Sequence, residues 1–159
     1  MMNNIDIKKD RLRYTKNTAS SVLAYVAILF NVLYFVSIYN KDVGNYYYSM
    51  TIGFSVICNL LFLLITFLAS EGVKNYKMGY NIGLIPLGLF QLVRVIGSPS
   101  SAHNTILFLD GIDVQVMEDK QFYWLCACLI CSALACFAAS AIGIYKTRTL
   151  REYEKQINQ

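Results

Sequence analysis

The chain has 159 residues, one domain's length, with 56% hydrophobic and 15% charged residues, a net charge of +4 and a mean hydropathy of +0.43. Soluble domains carry about 25% charge. This composition excludes disorder, collagen-like repeats and a nucleic-acid-binding arm, and it points to an integral membrane protein.

Charge-free runs mark the expected crossings. A spanning helix needs about 20 apolar residues at about 1.5 Å each. Lys16 to Lys41 encloses 24 uncharged residues, Asp42 to Glu71 encloses 28, and Lys120 to Lys146 encloses 25. The expected spans are 20–39, 50–70 and 122–145. The third crossing is weaker, because only 16 uncharged residues separate Lys77 from Arg94. Residues 78–97 suffice if Arg94 lies near the outer face and carries its guanidinium into the headgroups.

Basic residues set the orientation. Eleven of the 14 fall in the N-terminal tail, the 71–77 loop and the C-terminal tail. Positive segments stay in the cytoplasm, so both termini are expected there, in the cell membrane. The first apolar run reads as an uncleaved signal anchor, since no small-residue cleavage pattern follows it. Frequent Asn, Ile, Lys and Tyr point to an AT-rich bacterial genome. The tail 146–159 is expected to prolong the last span as a helix, because Arg148 with Glu152 and Arg151 with Glu154 have helix-supporting spacings.

Residues 98–121 form the expected outer loop. Asp110-Gly111 between two β-prone runs signals a hairpin. Ile112, Val114 and Val116 alternate with polar or flexible residues, and Ile106 and Phe108 lie on the preceding run. A lone hairpin is barely stable in water, so its apolar face needs the bilayer, the bundle or a partner.

The last span is built for close approach. Cys128, Ser132, Cys136 and Ser140 recur every four residues, and Cys131, Ala135, Ala139 and Gly143 do so one step round. Small residues at this spacing let helix backbones meet in lipid. Gly79-xxx-Gly83 gives the third span a similar signal, and Pro86 with Gly88 invites a kink there.

Polar residues share a depth. Asn31, Asn59 and Gln91 each fall roughly 9–14 Å below the outer ends of their spans, with Arg94 above them. Unpaired amides are costly in lipid, so these should point into the bundle. Two readings stand: interhelical hydrogen bonding, or a cavity for a polar solute with Arg94 at its mouth.

Cys128-Leu-Ile-Cys131 is similar to the redox pair of four-helix, quinone-linked membrane thiol oxidoreductases of the vitamin K epoxide reductase type. That likeness implies a catalytic role for the two sulfurs. Here the neighbours are apolar and the outer loops hold no shuttling cysteine. His103, the one histidine, reads as an ordinary loop residue. No catalytic residue, metal ligand or cofactor site is expected.

The fold expected is therefore all-α: one polytopic domain over 1–159, a bundle of four transmembrane helices with a small extracytoplasmic β-hairpin. The expected function is a non-catalytic accessory or assembly subunit of a larger membrane complex, such as a transport system. Its expected partners are membrane lipids and other membrane subunits or a second copy, with no nucleic acid. The alternatives are an oligomeric small-solute channel or carrier and, after it, a membrane thiol oxidoreductase.

Overall fold

The computed structural model describes residues 14–38, 46–104, 106–109, 112–115 and 117–157. Four helices dominate it: α1 (Thr18–Ser37), α2 (Tyr46–Lys74), α3 (Met78–His103) and α4 (Asp119–Ile157). Each contains a stretch long and apolar enough to cross a membrane. The outward surface agrees: Phe54, Ile57, Leu60, Leu64, Val93 and Ile96 are all exposed. An apolar surface of this extent is unsuited to water and suited to lipid.

The inward faces follow the helical period, narrowly on α1 and more broadly on α4. The line of deepest contact on α1 runs through Ser20, Ala24, Ala27, Asn31 and Tyr34, and on α4 through Leu125, Leu129, Ser132, Cys136, Ala139, Gly143, Thr147 and Leu150, with Cys128, Ala133, Ala135 and Ser140 buried beside it. Steps of four and three residues average 3.5, the period that keeps one stripe against neighbouring helices. Helix α4 packs mainly on α3 and α1, while α2 packs on α1 and α3. The helices thus occupy the four sides of a square, and side chains fill its centre.

Ends are fastened locally. Asn17 caps α1, its side chain engaging Ser20, and its backbone N–H donates to Lys74 O at 3.0 Å. Helix α2 ends in a Schellman turn: Lys77 N–H reaches Gly72 O and Tyr76 N–H reaches Val73 O, both at 3.1 Å. Tyr76 occupies the left-handed position, with φ 56°. At the other end of the bundle, Trp124 Nε1 donates to Ser37 Oγ and Gln121 Nε2 to Ser37 O.

Helix α3 runs six residues beyond the end at Gly97 expected from charge counting, with Pro86 and Pro99 both inside it. It is followed by two short strands, β1 (Ile106–Leu109) and β2 (Ile112–Gln115), paired antiparallel with Ile106 opposite Gln115 and Leu109 opposite Ile112. Phe108 and Val114 lie in these strands. Asp110, Gly111 and Val116 lie outside the described residues. Two strands are too few to be stable alone, so the architecture is an all-α bundle carrying a small appendage.

Candidate functional site: a buried polar layer around Arg94

Arg94 overturns the expectation that it reaches water at a membrane face. It is 6% exposed and sits inside the bundle. Nη1 donates to Asn31 Oδ1 and to Gln91 Oε1, both at 2.9 Å, and Nη2 donates to Asn59 Oδ1 at 2.6 Å. Its guanidinium lies 4.7 Å from the centre of the Tyr34 ring and 5.7 Å from that of Phe90. Three amide oxygens and two ring faces therefore replace the water that snorkelling would have supplied. A span need not end at its first charge when the bundle solvates that charge internally.

Three helices converge on this residue, and the fourth is linked through Gln91. Gln91 Nε2 donates to Asn31 Oδ1 at 2.9 Å and to Ser132 Oγ at 3.1 Å, and Ser132 Oγ donates onward to Ala27 O at 2.9 Å. Asn31, Asn59, Gln91 and Ser132 are all fully buried. Asn31 lies six residues before Ser37 and Arg94 nine before His103, about 9 and 13 Å from those helix ends.

The layer is donor-rich. Arginine offers only donors, so its contacts turn the oxygens of Asn31 and Asn59 toward it. Their nitrogens, Asn31 Nδ2 and Asn59 Nδ2, are buried without a hydrogen-bond partner, as is Ser55 Oγ. The Lys74–Glu71 ion pair lies elsewhere, at the end of α2.

A second polar cluster sits at the end of the bundle that holds Asn17 and the α2–α3 turn. Asn81 Nδ2 donates to Thr147 Oγ1 at 2.9 Å, Ser140 Oγ to Asn81 O at 2.6 Å, and Lys146 Nζ to Asn17 Oδ1 at 3.2 Å. Ser21 and Ser70 share a bond of 2.9 Å between α1 and α2. Asn81 escaped sequence reasoning, although it lies three residues before Leu84 on the same buried stripe.

The small-residue seam of α4 faces these helices. Cys128, Ser132, Cys136, Ala139, Ser140 and Gly143 are buried, whereas Cys131 is only partly so. A Cβ at position 143 would collide with Asn81 Oδ1, so any larger residue there would force the Asn81 side chain to shift. Gly88 likewise admits the Phe137 ring, which would lie 2.8 Å from an added Cβ. The expected Gly79-xxx-Gly83 contact is absent, since a Cβ at either position meets nothing within 4 Å. Those glycines lie off the stripe defined by Asn81, Leu84 and Gly88, so their spacing brings no helix close.

His103 is more than a loop residue. It ends α3, stacks on Phe122 at 4.5 Å between ring centres and bonds Asp119 at 2.9 Å, closing the link to α4. Among the described residues no group of His, Cys, Asp and Glu is placed to hold a metal ion.

No known family, curated protein or solved structure matches this chain. Geometry therefore carries the functional reading.

Proposed function

We propose that the chain is a non-catalytic subunit that helps assemble or stabilise a larger complex, a transport system being the class suggested, in a bacterial cell membrane. Both termini lie in the cytoplasm and the β1–β2 ladder faces outward. One observation carries this reading: side-chain bonds tie the helices together at both ends and through the middle. Asn17 with Lys146 and Ser21 with Ser70 hold one end, the Arg94 layer holds the middle, and Ser37 with Trp124 holds the other. A bundle so cross-linked suits a fixed scaffold better than a carrier whose halves must part. Contacts to partners would come from the exposed face of α4 at Ile130 and Leu134, from its charged end, and from the ladder.

A photo-crosslinker at Leu134, in cells expressing the chain at natural level, tests this. The expected result is one defined adduct of fixed stoichiometry, preserved on isolation in mild detergent. A chain that crosslinks to lipid alone and purifies by itself overturns the reading.

One observation favours the second reading, an oligomeric channel or carrier. Ser55 Oγ, Asn59 Nδ2 and Thr66 Oγ1 lie on one stripe of α2, buried and without partners. Phe62 interrupts that stripe. In a cysteine-free background, Ser55→Cys and Thr66→Cys would both react with aqueous thiol reagents if water threads the stripe. Protection of both removes this alternative.

A further inference from the structure

We infer that the bundle interior beside Arg94 is a binding site for a small monovalent inorganic anion of the halide class. Such a site does not depend on the accessory reading. Charge is the first indication. Arg94 is permanently cationic and buried, and its three hydrogen-bond partners are neutral amides. Neutral oxygens satisfy its donors without cancelling its charge. An isolated charge taken out of water is strongly unfavourable, and lipid around the bundle keeps that penalty high.

Hydrogen bonding gives the second indication. Because Arg94 fixes the two asparagine oxygens, both asparagine nitrogens are left as buried donors without partners. Ser55 adds a hydroxyl that is also unpartnered. Ser55 lies one helical turn from Asn59, toward the Gly53 end of that apolar stretch of α2. Surplus positive charge and surplus N–H donors call for the same complement. A cation would be repelled, and water would accept hydrogen bonds while leaving the charge uncancelled. A single negative charge answers both.

Arg94 also restricts the anion's size and shape. Its fork is engaged, with Nη1 on Asn31 and Gln91 and Nη2 on Asn59, so two-pronged capture of a carboxylate or phosphate is already spent. The rings of Tyr34 and Phe90 cover the guanidinium. A compact, spherical ion needs no fork and can be held by single N–H and O–H donors.

The full chain in nanodiscs of zwitterionic lipid provides the test. Chloride is raised from about 1 to about 100 mM against gluconate at constant ionic strength, and thermal unfolding is followed. A ligand bound only by the folded state raises Tm with the logarithm of its concentration, here by about 5 °C. Bromide should replace chloride, and gluconate should not. Arg94→Gln should abolish the dependence. Asn59→Asp is the decisive variant, because it sets a carboxylate against Nη2 and supplies the negative charge from within the chain. It should fold in gluconate and show no response to chloride, even if Arg94→Gln fails to fold. A wild-type Tm indifferent to chloride overturns the proposal. So does a chloride response retained by Asn59→Asp, or a stability that tracks anionic lipid content instead of chloride.

Discussion

Asn59 on α2 accepts a hydrogen bond from Arg94 on α3 across 2.6 Å, the shortest contact the guanidinium makes. Helix α2 presents a largely exposed apolar surface, so this bond is one of a few side-chain ties that fasten it to the bundle. Removing one partner of a charged, buried bond costs more than the bond itself contributes, because the survivor loses its solvation. Asn59→Ala should destabilise the folded chain by about 2 kcal/mol. A double-mutant cycle with Arg94→Met should show coupling of about 1–3 kcal/mol in reversible unfolding from mixed micelles. Additive effects would mean that the two side chains act separately.

Glycine positions separate by what surrounds them. Gly143→Ala drives a methyl into Asn81 Oδ1, so it should cost about 1–3 kcal/mol, and Asn81→Ala should relieve much of that loss. Gly79→Ala and Gly83→Ala meet open space and should be neutral, or stabilising by up to about 1 kcal/mol through helix propensity. Parallel Tm measurements on the four variants check the ordering.

Tyr76 holds a left-handed backbone conformation, at the position of the Schellman turn where glycine is favoured. A side chain there costs roughly 1–2 kcal/mol. Tyr76→Gly should therefore raise Tm, offset in part by the greater freedom glycine gives the unfolded chain. A fall in Tm would show that the tyrosine ring contributes more than the backbone loses.

The α2–α3 turn lies at the same end of the bundle as Asn17 and Thr147, because Asn17 N–H bonds Lys74 O and Asn81 bonds Thr147. Reporter fusions at Lys77 and at Gln159 should accordingly give the same side of the membrane, and a fusion within residues 105–118 the opposite one. A split between Lys77 and Gln159 would require an odd number of crossings.

The number of long apolar helices was readable in the chain, because the cost of leaving backbone or charge in lipid is local and depends on run length alone. The inward direction of Asn31, Asn59 and Gln91 was readable for the same reason: an amide in a span must find a partner. So was the small-residue face of α4, which needs only the helical period. Arg94 was not readable. Whether an arginine snorkels or stays inside depends on oxygens contributed by residues 63 and 35 positions away, and their convergence exists only once three helices have packed. Nor could spacing tell that Gly143 is crowded and Gly79 is not, since both fit the same pattern and only one faces another chain segment. Local composition fixed what each helix had to avoid, and tertiary packing decided which polar groups would meet, because hydrogen bonds and close contacts are properties of pairs.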